Sequence, residues 1–389
     1  MHRLDVVLPA GTYAVEIASG LLDSLGQRLR PLHRQAWAVI ADATVAALYG
    51  PRLLASLDQA GLPCRLLTFP DGEAHKTLAT VETLSGQLLE FGLARDGGIV
   101  ALGGGLVGDV AGLAAALYMR GVPYVQVPTT LLAMIDASVG GKTAVNLGEV
   151  KNCIGRFHQP AHVCIDPEVL QTLPPGEFAS GLGELAKYAM LDKAFYEWVE
   201  HEISGEIISP DPPCAVPVAT GSQPGQTRGP GGSAPWSGPW SGPCLSAAIA
   251  HCVGIKAGVV TRDELESGER MLLNYGHTFG HGLETVLRFS RPHGWCVAQG
   301  MRLAAVLAVR LGLCDVSLPT RQDALLKRLG LLEPFPSIPA SALLAAMQTD
   351  KKKHAGGLTF VLPRAIGVLE VVRNVPDVDV LQAITLLQL

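Results

Sequence analysis

The sequence lacks the features that direct a chain into or through a membrane. No stretch of its 389 residues approaches the ~18 uninterrupted apolar residues of a membrane span. Its start, MHRLDVVLPAGTY, has no apolar core of a secretory signal peptide. A large charge excess is also missing, since the formal net charge is −5. We therefore expect a cytoplasmic protein whose main partners are neither membranes nor nucleic acids.

Cysteine motifs are missing as well, because the eight cysteines are dispersed and none forms a CxxC pair. This spacing argues against a disulfide framework and favours reduced thiols. The length suits about two domains. The content of 48% hydrophobic and 17% charged residues is typical of a globular protein.

Short aliphatic runs alternate with helical patterns in the first part of the chain, at residues 36–41, 66–69, 99–102 and 124–127. This alternation predicts an α/β domain in which helices flank a parallel sheet. From about Pro174 onward the pattern is mainly helical and predicts an all-α domain. The predicted domains are residues 1–173 and residues 174–389.

Residues 209–243 interrupt the helical pattern with Pro, Gly, Ser and Thr, including a tandem PWSG repeat. Such a composition cannot bury enough apolar surface to order itself, so it predicts a disordered surface loop. A Pro-rich recognition segment is the alternative interpretation.

The segment IVALGGGLVGDVAG contains GxGxxG at Gly103, Gly105 and Gly108, directly after a predicted strand. A helical pattern follows at once, so backbone N–H groups at its N-terminus could bind a pyrophosphate. The motif lacks the acidic residue expected ~20 positions later, and a tight strand–helix turn is the alternative explanation. The adenosine of a bound dinucleotide must then be held at the end of another strand. Candidates are Asp42 and the segment DGEAHKTL. Asp42 could instead be a helix cap.

A polar segment, TTLLAMIDASVGGKTAVNLGEVKN, follows the strand that ends near Pro128. Its lysines and amide side chains flank the pair Gly140 and Gly141, where backbone can approach a ligand closely. This combination suits a phosphate, although the spacing is not that of a P-loop.

Five polar residues, Glu266, Arg270, Asn274, His277 and His281, follow one another at spacings of four, four, three and four. In a continuous helix they would share one stripe roughly 80° wide. Such a stripe predicts the wall of an active site, and an exposed polar helix face is the alternative. Two imidazoles one turn apart can reach a common metal or substrate.

A carboxylate and a further imidazole complete a possible metal site. Glu184 lies in GELAKY, one turn before Lys187, and His293 lies in RPHGW. With His277 they form the ligand type of a catalytic zinc site.

Several motifs, in order and at matching spacing, resemble the 3-dehydroquinate synthase family. They are GGGLVGDVAG, MRG, PTTLLAMIDASVGGKTAVN, GELAKY, ExxxRxxxNxGHTFGH, DKK and FVLPRAIG. The resemblance implies an N-terminal α/β domain that binds NAD and an all-α C-terminal domain that binds zinc or cobalt. It also implies a cytoplasmic homodimer in the shikimate pathway of aromatic amino acid biosynthesis.

The implied reaction is that of a phosphorus–oxygen lyase. It converts 3-deoxy-D-arabino-heptulosonate 7-phosphate to 3-dehydroquinate and phosphate. The resemblance assigns the metal to Glu184, His277 and His293. It assigns catalysis and substrate binding to Arg120 from the other subunit, Asp136, Lys142, Asn152, Lys187, Lys256, Arg270, Asn274, His281 and Lys352. It assigns NAD to Asp42, Glu73, Lys76, Gly104, Gly105, Leu106, Asp109, Thr129, Thr130, Lys142, Lys151, Thr172 and Leu173.

Three features depart from the family pattern. Trp295 stands where a glutamate usually follows His293 and Gly294, Gly183 replaces an alanine, and the segment 209–243 is longer than usual. A carboxylate at position 295 could orient a metal ligand, so its loss suggests looser metal binding.

Alternative functions stay open within the resemblance. Related sugar phosphate cyclases make inosose or valiolone rings, and metal-dependent polyol dehydrogenases release NADH. A catalytically silent binding protein is a third alternative. The presence of Lys256, Asn274, His281 and the DKK motif favours the dehydroquinate reaction, because a substrate with a carboxylate needs additional cations.

We predict that deletion of residues 210–242 leaves folding and activity nearly unchanged. A disordered loop contributes little packing, and closure entropy changes slowly with loop length. Melting temperature and turnover of the deletion variant test this. A large fall in either would show that the segment packs against the protein.

Overall fold

The computed structural model describes residues 1–148, 150–203, 242–351 and 358–388. Within them the chain divides into two compact units. The first unit is Met1–Leu170 with Leu245–Ser267, and the second is Gln171–Cys244 with Gly268–Leu389. Residues 245–267 thus group with the α/β part, which differs from the predicted division at residue 173. The predicted loop, except for residues 242 and 243, lies outside the described residues.

A seven-stranded sheet forms the centre of the first unit, in the order β1-β2-β9-β6-β5-β3-β4. Its strands are β1 (His2–Leu8), β2 (Gly11–Ile17), β3 (Trp37–Asp42), β4 (Cys64–Phe69), β5 (Gly98–Gly103), β6 (Tyr124–Pro128) and β9 (His162–Ile165). All neighbours pair in parallel except β1 with β2. The four predicted strands and their parallel arrangement are confirmed. Every residue of β5 is buried, as expected of a central strand covered on both faces.

Helices follow the strands and cover the sheet: α1 (Leu25–Leu29), α2 (Ala43–Gln59), α3 (Leu78–Phe91) and α4 (Gly105–Leu117). Asp42 caps α2, because its carboxylate accepts a hydrogen bond from the backbone N–H of Val45 at 2.8 Å. An antiparallel hairpin of β7 (Lys142–Leu147) and β8 (Val150–Phe157) packs against α4. Gly112 of α4 permits this approach, since a Cβ there would lie 2.5 Å from the Thr143 side chain.

The helix α7 (Pro243–Arg262) runs mostly within the first unit. By length and composition alone it could cross a membrane, with a mean hydropathy of 1.6 over its most apolar window. Half of that window is buried inside the protein. A core helix of a soluble protein passes the same test, so the finding is weak support for a membrane span.

The second unit is mainly helical. It contains α5 (Pro175–Leu191), α6 (Lys193–Glu202), α8 (His277–Val286), α9 (His293–Arg310), α10 (Leu318–Arg328), α11 (Ala340–Lys351) and α12 (Asp377–Gln388). The expectation of an all-α domain misses one element, the antiparallel hairpin of β10 (Phe360–Ala365) and β11 (Val368–Val372). Short apolar runs on both sides of Gly367, whose φ is +82°, favour this hairpin.

The predicted polar stripe does not lie on one helix. Glu266 has a φ of +60°, and a short 3₁₀ helix spans Glu269–Asn274. Gly276, with a φ of +79°, then separates that turn from α8. A single stripe requires uniform helical φ and ψ angles, and the left-handed residues interrupt them.

Two glycines allow α5 and α9 to approach closely. A Cβ on Gly183 of α5 would lie 2.2 Å from the carbonyl oxygen of Gly294. A Cβ on Gly294 of α9 would lie 1.8 Å from the carbonyl oxygen of Ser180. The hydroxyl of Ser180 accepts a hydrogen bond from the backbone N–H of Gly294 at 3.0 Å. Glycine at position 183, a departure from the family pattern, therefore fits the contact seen in this chain.

We predict that Gly294→Ala destabilises the protein by about 1–3 kcal/mol, because the added methyl group clashes with rigid backbone. Gly86→Ala is the matched control, since Gly86 is exposed on α3 and a Cβ there meets no atom within 4 Å. Alanine there should stabilise the helix by about 0.5–1 kcal/mol. Denaturant unfolding of both variants measures the difference. Equal stability of the two variants would contradict the proposed close contact.

Candidate metal centre and active site

Three potential metal ligands meet in the second unit: Glu184 of α5, His277 at the start of α8 and His293 at the start of α9. One carboxylate oxygen of Glu184, Oε1, lies 3.3 Å from His277 Nε2 and 3.4 Å from His293 Nε2. All three ligand atoms lie within 4.8 Å of one another. The structure thus brings together three residues that the sequence separates by up to 109 positions, the difference between 184 and 293.

The Glu184 side chain is only 2% exposed. Burial alone would raise its pKa, but Lys187 and the two imidazoles hold the pKa well below its usual range. The ammonium Nζ of Lys187 lies 2.5 Å from Glu184 Oε2, one turn along the helix. Burial alone would lower the pKa of His293, but Glu184 and Glu284 raise it to about 9. The site is therefore electrostatically coupled.

This group of ligands fits a divalent cation. Neither carboxylate oxygen of Glu184 receives a well-directed hydrogen bond from the described part of the chain, although both are buried. Two imidazole nitrogens face the same oxygen. Two nitrogens and one oxygen are the donor set of many catalytic zinc sites, which keep further positions open for water or substrate.

A second group, Glu16, His162 and Cys164, has similar spacing in the first unit. Its carboxylate already forms an ion pair with the guanidinium of Arg28. Burial also raises the pKa of the Cys164 thiol, which opposes formation of the thiolate that binds metal. A cation would have to displace Arg28 and a proton, so this group is the less suitable metal site.

Each ligand imidazole has a partner for its other ring nitrogen. His277 Nδ1 lies 3.1 Å from the carbonyl oxygen of Tyr275, and His293 Nδ1 lies 3.0 Å from Glu284 Oε1. Glu284 was not among the predicted site residues. Its position three residues after His281, in HGLE, was the available signal.

Glu284 bears on the expectation for Trp295. Glu284 of α8 gives His293 a carboxylate partner although position 295 carries an indole. The indole of Trp295 is buried, and the guanidinium of Arg291 lies 4.7 Å from its ring centre, in a cation–π contact. Looser metal binding through Trp295 stays a prediction.

A cavity of about 270 Å³ in the second unit opens beside His277, one of the three candidate metal ligands. Its lining includes the polar residues Asn274, His277 and His281. Met271 and Phe360, the latter from the β10–β11 hairpin, also line it. Three predicted site residues thus share one cavity. Arg270 and Lys187 are both buried, with side chains at most 1% exposed. Lys187 is paired with Glu184, and a role of Arg270 toward a ligand stays a prediction.

In the first unit, two predicted substrate lysines are paired with carboxylates. Lys256 of α7 donates to the carbonyl oxygen of Asp136 at 2.7 Å and forms an ion pair with its carboxylate. Lys142 forms an ion pair with Glu266. Glu266 therefore reaches a site residue without lying on the predicted helix.

The glycine-rich turn has the geometry of an anion-binding site. Gly104 precedes the 13-residue helix α4 and offers no side-chain cap, so the first N–H groups of α4 are not capped by that residue. Lys76 Nζ lies 2.6 Å from Asp109 Oδ2 and 2.6 Å from Asn152 Oδ1. Burial raises the pKa of Asp109, against the opposing effect of Lys76. Lys76 is buried, so it is not a solvated surface lysine.

Further predicted residues are distributed over both units. Thr130 accepts a hydrogen bond from Ala133 N–H at 3.2 Å, as a helix cap does. Arg120 is exposed and follows Met119; their φ angles are +68° and +49°. Thr172 and Leu173 belong to the second unit. Lys352 lies outside the described residues. The roles of these residues remain predictions, as do those of Leu106, Thr129 and Lys151.

Two family profiles match the chain. The 3-dehydroquinate synthase N-terminal domain matches residues 66–180, and the C-terminal domain of that family matches residues 239–353. A 3-dehydroquinate synthase of Pelobacter propionicus is 42% identical over 371 residues, 94% of each chain. Another, from a Synechococcus species, is 39% identical over 393 residues, 98% of each chain.

Solved structures share the fold. The 2-epi-5-epi-valiolone synthase ValA of Streptomyces hygroscopicus, with NAD⁺ and Zn²⁺ bound, has a TM-score of 0.80, 28% identity and 98% coverage of both chains. A 2-deoxy-scyllo-inosose synthase complexed with carbaglucose-6-phosphate, NAD⁺ and Co²⁺ has a TM-score of 0.80, 25% identity and coverage of 98% and 99%. A probable glycerol dehydrogenase of Sinorhizobium meliloti, at 17% identity and a TM-score of 0.55, supports the fold alone; it covers 96% of each chain. By both family profiles and by its nearly full-length relatives, the chain belongs to the 3-dehydroquinate synthase family.

Proposed function

We propose that the chain converts 3-deoxy-D-arabino-heptulosonate 7-phosphate to 3-dehydroquinate and phosphate, as a phosphorus–oxygen lyase of the shikimate pathway. The observation that carries this proposal is the Glu184, His277 and His293 group in a chain with 39–42% identity to named 3-dehydroquinate synthases. We also propose that the protein is a homodimer located in the cytoplasm.

The proposed cofactors are NAD and zinc or cobalt. Glu184, His277 and His293 would hold the cation, which when bound would supply Lewis acidity toward a ring alcohol, and bound nicotinamide would supply reversible oxidation of that alcohol. Oxidation of the alcohol to a ketone acidifies the neighbouring C–H bond, so that phosphate can leave by elimination. Return of the hydride to the same carbon would leave no net oxidation, and ring opening and an intramolecular aldol closure would follow.

Residues of this chain supply the binding and proton-transfer groups. Arg270 and Lys256 are proposed to bind the substrate carboxylate, since both are buried cations. His281 is exposed at the cavity, where an imidazole can move a proton. Asp136 holds Lys256 in place through their ion pair. Lys187 keeps Glu184 ionised by its charge.

The phosphate needs several cations and hydrogen-bond donors. The proposed groups are Lys142, Asn152, Asn274, His281, Lys352 and Arg120 of the partner subunit. For NAD, the N-terminus of α4 at Gly104 and Gly105 is proposed to face the pyrophosphate. The other proposed NAD residues are Asp42, Glu73, Lys76, Leu106, Asp109, Thr129, Thr130, Lys142, Lys151, Thr172 and Leu173.

Two related reactions are the alternatives. The valiolone and inosose synthases share the fold at 28% and 25% identity, below the 39–42% of the dehydroquinate synthases. The substrate that is turned over distinguishes these cyclases. A polyol dehydrogenase would release NADH, which the next experiment detects. A silent binding protein would show no turnover at all.

We predict redox-neutral turnover. Purified protein with zinc or cobalt and trace NAD should release phosphate from the heptulosonate phosphate without net NADH, because the hydride returns to the substrate. A phosphate assay and the absorbance of NADH measure both quantities in one sample. NADH formed in proportion to product would support a dehydrogenase instead.

We also predict that His277 and His281 differ in role. His277→Ala should abolish metal binding and turnover, since His277 Nε2 faces Glu184. His281→Ala should retain metal and slow turnover by about 10²–10⁴-fold, the usual contribution of a general acid or base. Metal content after dialysis and turnover at saturating metal separate the effects.

Thr285→Ala is the control for these variants. Its exposed hydroxyl donates a hydrogen bond to the carbonyl oxygen of His281 on the same helix, so both metal content and turnover should stay at the wild-type level. Equal metal loss in the two histidine variants would contradict the assignment.

A further inference from the structure

Glu284 is a buried carboxylate on α8 to which the proposed reaction assigns no role. Glu284 is 8% exposed, and its Oε1 lies 3.0 Å from His293 Nδ1. The other ring nitrogen of His293, Nε2, lies 3.4 Å from Glu184 Oε1. The imidazole therefore spans two carboxylates, one on each side of the ring.

The chemistry of the pair fixes the proton of His293. An ionised carboxylate only accepts hydrogen bonds, so Nδ1 carries the hydrogen toward Glu284. In the neutral ring, Nε2 then presents its lone pair to the side where Glu184 and His277 lie. This is the tautomer that a metal ligand requires.

The two ligand imidazoles are held differently. His277 Nδ1 faces a backbone carbonyl, that of Tyr275 two residues earlier on the same chain segment. His293 Nδ1 faces a charged side chain on another helix, nine residues away in sequence. A hydrogen bond to an ionised acceptor is stronger than one to a neutral acceptor. Glu284 therefore restrains His293 more strongly, and it links the N-terminus of α9 to α8.

We infer that Glu284 is a positioning residue for the metal centre: it fixes the tautomer and orientation of His293. The inference rests on the metal site proposed above. It concerns affinity for the cation, because Glu284 faces the ring nitrogen opposite the one that would bind metal. A carboxylate at position 295 of α9 was expected to orient a metal ligand. In this chain Glu284 of α8 takes that role instead.

The experiment compares Glu284→Gln and Glu284→Ala with the wild-type protein. Zinc affinity is measured by competition with a chromophoric chelator, and the absorption spectrum of the cobalt-loaded protein reports ligand geometry. Loss of such a partner typically weakens metal affinity by ~10–100-fold. We expect this loss and an altered cobalt spectrum for alanine. Glutamine should fall between alanine and wild type, because its amide oxygen still accepts from Nδ1 but carries no charge.

Glu177→Gln is the matched control, since Glu177 is an exposed residue in the first turn of α5. It should leave zinc affinity and the cobalt spectrum unchanged. Melting of the metal-free proteins separates positioning from stability: a lower melting temperature with wild-type zinc affinity would overturn the inference. If the alanine variant does not fold, the glutamine variant decides, and unchanged affinity overturns the inference. A wild-type protein that binds no zinc would overturn the metal centre itself.

Discussion

The second unit depends on one buried carboxylate, Glu184. An ionised carboxylate with a 2% exposed side chain costs several kcal/mol of desolvation unless cations and dipoles offset it. Lys187 offsets it from the same helix, and His277 and His293 do so from the starts of α8 and α9. Three helices must therefore meet at one point. Loss of any partner would leave a buried charge less compensated, which ties the chemistry of the site to its folding.

Glycines set how closely these helices meet. Gly183 and Gly294 bring α5 against α9, and a Cβ on either residue would overlap backbone atoms of the other helix. Gly300 of α9 lies against the loop before α8, where a Cβ would be 2.1 Å from the carbonyl oxygen of Gly276. Gly276 itself adopts a φ of +79° just before His277. The residues beside the three candidate metal ligands are thus glycines, because backbone atoms fill the space that a side chain would need.

Local periodicity was sufficient to predict the parallel sheet, because each strand is a short buried run. It failed between Glu266 and His281, where left-handed φ angles interrupt the helix. Contacts over long sequence separations could not be read from spacing: Lys142 meets Glu266, 124 residues away. Glu284 was missed although His293 is only nine residues away in sequence, because the two lie on different helices and helical spacing does not relate them. The resemblance named the metal ligands, whereas the structure added what holds them.

The turn after α4 shows a different kind of constraint. Met119, Arg120 and Gly121 adopt positive φ in succession, at +49°, +68° and +119°. For a residue with a side chain this conformation costs roughly 1–2 kcal/mol, and burial does not offset it here because Met119 and Arg120 are both exposed. Glycine or asparagine would adopt these angles at positions 119 and 120 with less strain. The turn therefore keeps unrelieved backbone strain directly beneath two exposed side chains.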